Sequence, residues 1–319
     1  MIGTSVSRRN ENVWQVIKSY YQLTKPRIIP LLLITTSAAM WMASGGRVDP
    51  LRLLSTLLGG TLAAASAQAL NCIYDQDIDY EMKRTRNRPI PSGRVQPRHA
   101  LLFAIVLGVL SFTLLAVFVN LLSALLAMSG IAFSLVVYTH LLKRHSTQNI
   151  VIGGAAGSIP PLVGWAAVTG DLSLAPWILF AILFLWTPPH FWALALMIRD
   201  DYAQVNVPML PVVEGEESTA RQIWLYTLLT VIVTFLLVYP LGASGAIYAV
   251  VAAILGGIFL DKAWHLRKAP SDKQLARSMF KYSILYMMLL CTGIVVDSLP
   301  VTHQLTALLG DNLNAIVSL

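Results

Sequence analysis

Long apolar stretches alternate with short polar breaks along almost the whole chain. Nine candidate spans emerge, at about 28–45, 53–72, 100–119, 121–141, 149–168, 174–198, 222–241, 244–260 and 282–300. Each is long enough for a helix to cross a hydrocarbon core of ~30 Å. The ten-residue alternation that marks a membrane barrel is absent. The pattern predicts an all-α fold, a polytopic membrane helical bundle of about nine transmembrane helices. It divides the chain into a polar, basic segment (1–27), a single transmembrane domain (28–300) and a tail (301–319) in which no chemistry is legible.

Composition agrees with the pattern. Of 319 residues, 56% are hydrophobic and 12% charged, against about 25% charged in a soluble domain. Every basic residue except Arg47 and Arg52 falls in the loops on one side of the nine spans. By the positive-inside rule that side, with the amino terminus, is cytoplasmic, and an odd span count puts the carboxyl end outside. The net charge of +7 then reflects topology and attraction to anionic lipid in the bilayer, and calls for no nucleic acid. The first 27 residues show neither the apolar core of a cleavable signal nor a transit peptide, so a bacterial-type inner membrane is the expected address. Cys72 and Cys291 lack any metal or redox spacing and are expected in the core.

The charge that remains is concentrated. "NCIYDQDIDYEMKRTRNRP" (71–89) follows an apolar run and gathers acids and bases in one stretch. Asn71, Asp75 and Asp79 stand four apart, so on a helix they share a face, while Asp77 points away. Two carboxylates and an amide offer hard oxygen ligands, which suit Mg²⁺ beside a substrate phosphate better than Zn²⁺. The plain alternative is a helix end whose surface acids pair with neighbouring bases. Pro89 and Pro91 end the helix, so Arg84 and Arg88 sit on a loop able to fold back over the acids. Guanidinium groups beside metal-binding acids suit a diphosphate. Arg86 and Arg94 fit the positive-inside rule instead.

Three further helix ends converge on the same side. They are Lys25 and Arg27 in "LTKPRI", Lys143 and Arg144 in "YTHLLKR", and Asp200 and Asp201 after the sixth span. His190, in "TPPHFW", lies about three turns from Asp201 and so about 15 Å deeper. An ionisable residue at that depth is a functional candidate, with a helix-packing histidine as the alternative.

These motifs, from "LTKPRI" to "TARQI", resemble the intramembrane aromatic prenyltransferase superfamily, and the "MKRTRNRP" and "PPHFW…DDY" blocks resemble its haem branch. The resemblance implies a helical bundle around a central active-site cavity, with farnesyl diphosphate and haem B as substrates and Mg²⁺ as cofactor. It implies Asn71, Asp75 and Asp79 as the first acidic motif, with Asp200 and Asp201 completing the metal ligands and Asp201 joining the first three as catalytic. It also implies Lys25, Arg27, Arg84, Arg88 and Lys143 on the diphosphate, and His190 on haem, at its iron or a propionate. Haem-modifying or terminal oxidase assembly proteins are the expected downstream partners. The second motif departs from the superfamily pattern, because Met197, not an aspartate, stands four before Asp201. A phenolic or quinone acceptor and a transporter are the competing readings. Acids gathered at helix ends rather than at midplane argue against transport.

Overall fold

The computed structural model describes residues 12–302, and among them the fold is entirely helical. The expected tail at 301–319 and the first eleven residues of the amino-terminal segment lie outside the described residues, apart from 301 and 302. What is described of that segment begins with a short surface helix, α1 (Val13–Leu23), capped by Asn12.

Helices occupy all nine predicted spans. Seven are long and apolar enough to cross a membrane unaided. These are α3 (Pro50–Tyr74), α5 (Pro97–Phe118), α6 (Leu121–Ala132) with its π-helical continuation Phe133–Leu142, the pair α7 (Asn149–Ser158) and α8 (Pro160–Thr169), α9 (Leu174–Met197), α13 (Ala246–Lys268) and α14 (Lys273–Asp297). The count of nine spans is not reached by that standard. At the first predicted span, α2 (Ile29–Ala43) has 15 residues, about 22 Å of helix. At the seventh, α12 (Gly215–Phe235) starts seven residues earlier than the apolar run, with Glu216, Glu217 and Arg221 in its opening turns. Short helices α4 (Gln76–Glu81), α10 (Arg199–Gln204) and α11 (Leu210–Val213) fill the connections.

Lipid cannot satisfy backbone or hydroxyl groups, so polar side chains inside such helices must find partners within the protein. Thr35, Thr36, Thr56, Thr227, Thr230 and Thr234 each donate to a carbonyl three or four residues back. Other hydroxyls bind helices together. Ser66 donates to the Ala104 carbonyl (2.8 Å) and Ser111 to the Gly59 carbonyl (2.7 Å), which ties α3 to α5. Small residues allow such approach. A Cβ on Gly164 of α8 would collide with the Thr36 carbonyl oxygen of α2. The outer helices face outward with apolar side chains, including Leu102, Ile105 and Val109 of α5. By contrast α9 is the most enclosed of the seven long helices, and it places Trp186, Pro188, Pro189 and His190 at the centre of the bundle.

Candidate active site

Between the helices lies a cavity of about 470 Å³. One end is ionic, lined by Asn71, Asp75, Asp79, Arg84, Arg88 and Lys143, with Lys25 closing it from the α1–α2 connection. Small residues of α3 and α7, among them Ala63, Ala67 and Gly157, form an apolar wall. His190 and Trp186 line the remaining side.

The acidic motif survives a break in its helix. Asp75 leaves helical geometry (φ −88°, ψ 8°) between α3 and α4, yet its N–H still donates to Asn71 and it accepts from the Asp79 N–H. The four-residue spacing therefore holds, and all three side chains meet the cavity. Asp77 points outward and takes both guanidinium nitrogens of Arg144 (2.7 and 2.8 Å). Those hydrogen bonds hold its carboxyl below the usual range, against the opposing effect of burial.

Tertiary contacts pair each inward acid with a cation. Asp75 Oδ2 accepts from Lys143 Nζ, and both Asp79 oxygens accept from Arg88 Nη1 at 2.8 and 2.7 Å. The loop does fold back over the acids, and Thr85 pins it by donating to the Asp79 carbonyl at 3.0 Å. Arg94 holds the far end of the loop to α1 through Gln22 (2.9 Å) and to the Asn87 carbonyl. Lys25 Nζ donates to Asn71 Oδ1 at 2.5 Å. Its backbone sits at φ +46°, a left-handed conformation costing about 1–2 kcal/mol for a residue with a Cβ. Strain of that kind is retained where the surroundings demand one placement. Burial pushes the Lys25 ammonium below the usual lysine range, and Arg88 and Lys143 add to the shift while Cys72 and Asp75 oppose it.

One oxygen is left over. Asp75 Oδ1 is buried without a hydrogen-bond partner among the described residues. A buried carboxylate oxygen with no donor is costly unless a cation completes it. Together with Asn71 and Asp79 it forms a hard oxygen set, the kind Mg²⁺ takes with one or two carboxylates, waters and substrate phosphate. The residues present fit that ion.

The structure does not bring Asp200, Asp201 or Arg27 to the cavity. Ile198 leaves helical geometry (φ −122°, ψ 32°) between α9 and α10, so the residues that follow do not continue the register of α9. Asp200 is exposed, Asp201 half-buried, and Tyr202 reaches the cavity instead. No group of three or more His, Cys, Asp or Glu side chains able to hold a metal occurs among the described residues.

Sequence reasoning missed three contributors. Tyr138 and Thr139 lie in the π-helical stretch, where Lys143 N–H donates five residues back to the Tyr138 carbonyl. The wider turn brings Thr139 to Asn71 Nδ2 (3.3 Å) and Tyr138 into the cavity. Such bulges recur at functional sites, but their hydropathy pattern is that of an ordinary helix. The third is Ser283 of α14, whose Oγ lies 2.7 Å from His190 Nδ1. No local signal points to it.

Residues 32–285 match the UbiA prenyltransferase family. The chain belongs to that family. It is an enzyme, a multi-pass membrane prenyltransferase. A protein of Gloeothece citriformis named protoheme IX farnesyltransferase is 77% identical over 319 residues, covering 100% of this prenyltransferase and 99% of the relative. Two solved structures share the fold. A digeranylgeranylglyceryl phosphate synthase superimposes with a TM-score of 0.73 at 22% identity, covering 89% of this chain and 99% of that one. A UbiA homolog from Archaeoglobus fulgidus bound to DMAPP and Mg²⁺ does so with 0.62 at 16% identity, covering 87% and 99%.

Proposed function

We propose that this prenyltransferase transfers the farnesyl group of farnesyl diphosphate to a vinyl group of haem B in a Mg²⁺-dependent reaction. The observation that carries the reading is a single cavity with an ionic cage at one end and a buried imidazole on another side. The full-length similarity to a protein named protoheme IX farnesyltransferase supports the same substrates. A UbiA homolog with DMAPP and Mg²⁺ supports a prenyl diphosphate and a divalent ion.

Asn71, Asp75 and Asp79 would hold the ion, and Asp200 and Asp201 are left out of its ligands because they do not reach the cavity. When bound, Mg²⁺ supplies Lewis-acid neutralisation of the leaving diphosphate. Lys25, Arg84, Arg88 and Lys143 bind the phosphate oxygens and stabilise charge as the carbon–oxygen bond breaks. Asp79 holds the Arg88 fork in place for that task. The apolar wall excludes water from the allylic cation until the vinyl group attacks it. Water then adds to the haem side chain, giving a hydroxyethylfarnesyl group. His190 contacts the haem. The concentration of basic residues in the loops on one side supports a cytoplasmic cage in a bacterial-type inner membrane, with haem-modifying or terminal oxidase assembly proteins as recipients of the product.

Membranes carrying the chain, incubated with haem B, farnesyl diphosphate and Mg²⁺, are expected to yield a porphyrin heavier by one farnesyl and one hydroxyl group in mass spectrometry. A haem of unchanged mass removes the proposal. The wall offers a second check. A Cβ on Gly157 would meet nothing within 4 Å, so Gly157→Leu projects into open cavity rather than into a neighbour. It is expected to lower kcat/KM for farnesyl diphosphate about tenfold relative to geranyl diphosphate, the discrimination a few methylenes carry in an apolar pocket. An unaltered chain-length preference places the isoprenoid elsewhere.

A further inference from the structure

We propose that Ser283 is a positioning residue for the haem: it holds His190 as the Nδ1–H tautomer and so presents an unprotonated Nε2 to the iron. The proposal rests on the reading that His190 contacts haem, and adds which atom does so and what decides it.

Proton counting carries the argument. A serine hydroxyl has one proton. Ser283 Oγ donates it to the Phe280 carbonyl at 2.7 Å, within its own helix. Toward His190 Nδ1, also at 2.7 Å, the same oxygen is then only an acceptor. The imidazole must be the donor there. A neutral imidazole carries one N–H, so Nε2 is left with its lone pair. No hydrogen bond reaches Nε2 among the described residues.

The ring is held as well as protonated in one way. Trp186 stacks on it with centroids 4.5 Å apart and planes at 14°, and Phe280 with 4.7 Å and 22°. Trp186 is itself fixed, because its Nε1 donates to the Ser283 backbone carbonyl at 2.8 Å. His190 and Trp186 line the cavity, whereas Ser283 and Phe280 do not. The Nδ1 edge therefore faces α14, away from the substrate space.

The tautomer separates two chemistries. An iron takes a nitrogen lone pair, while a haem propionate or a phosphate takes an N–H. A histidine ligand that donates its other N–H to an oxygen is oriented and made more basic, and loss of that partner costs about 10–100-fold in metal affinity. Ser283 is placed to be that partner, from a helix 93 residues further along the chain.

The test uses the full chain in lipid nanodiscs titrated with haem B, without farnesyl diphosphate, so that turnover plays no part. Haem absorption gives affinity, and resonance Raman of the ferrous state gives the iron–histidine stretch. The parent chain is expected to show an imidazole-ligated haem, and His190→Ala to lose it. Ser283→Ala is expected to bind haem about tenfold more weakly, with the stretch moved to lower frequency, and Ser283→Thr to restore both. The Trp186 bond goes to a backbone carbonyl and survives each substitution. If His190→Ala keeps the parent spectrum, the haem contact itself fails. If His190→Ala loses the imidazole signature while Ser283→Ala matches the parent in affinity and stretch, the contact stands and the role of Ser283 falls. Nitrogen-15 NMR of histidine-labelled, haem-free parent chain needs no substitution, and an Nε2–H signal at His190 overturns the proposal.

Discussion

Asp75→Asn is expected to lower turnover about 10²–10³-fold while the helical bundle stays assembled. The asparagine keeps the size of the side chain and an oxygen able to accept from Lys143, so the contact between α3 and the segment after the π-helical stretch persists. What disappears is the negative charge at a group that is 1% exposed and whose second oxygen has no donor. A site that gathers four cationic side chains for a diphosphate needs that charge to retain a divalent ion. Product formation by mass spectrometry reads the loss, and an unchanged melting temperature shows that it is not a failure to fold. Turnover that survives in the variant and still depends on Mg²⁺ removes Asp75 from the reaction.

Lys143→Met acts on the same pair from the other side, with the opposite bias between folding and chemistry. The side chains of Lys143 and Asp75 are 14% and 2% exposed. Removing the ammonium strands a buried carboxylate, which costs about 3 kcal/mol when one member of such a pair is lost. The substrate-free variant is therefore expected to melt well below the parent chain. The same carboxylate becomes a better cation site once its competitor is gone, so Mg²⁺ should raise the melting temperature of Lys143→Met more than that of the parent. Thermal unfolding in nanodiscs with and without Mg²⁺ measures both effects. A variant as stable as the parent, with the same response to Mg²⁺, contradicts the account of Asp75 as a charge shared between lysine and metal.

Much of the molecule was legible before the fold was known, for local reasons. Apolar runs of bilayer length read as helices because the backbone must satisfy itself within lipid. The common face of Asn71, Asp75 and Asp79 follows from helical spacing, which a one-residue break at Asp75 leaves intact. Asp77 was expected to point away, and it does, onto Arg144. The helix end expected at Pro89 and Pro91 comes earlier, at Glu81, where Met82 turns extended, and the loop so freed brings Arg88 onto Asp79 nine residues back. The acidic face and the Asp79–Arg88 pair join residues that lie close together in the chain, so local backbone geometry relates them, whereas the partner that Asp77 finds, Arg144, stands 67 residues away.

The expectations that changed depended on register or distance. The family resemblance implies Asp200 and Asp201 as metal ligands, but Ile198 interrupts the helix before them and Tyr202, not either aspartate, lines the cavity. The π-helical stretch shifts Tyr138 and Thr139 by a register no hydropathy pattern records. By itself, then, the chain's spacing of apolar and acidic residues determined a helical membrane protein with a carboxylate–amide face at a helix end. Only tertiary structure decided that Lys143 sits on Asp75 across 68 residues and that Ser283 backs His190 across 93. The reason is physical: helical periodicity relates neighbours within a few turns, whereas partners on different helices are set by how whole apolar faces pack.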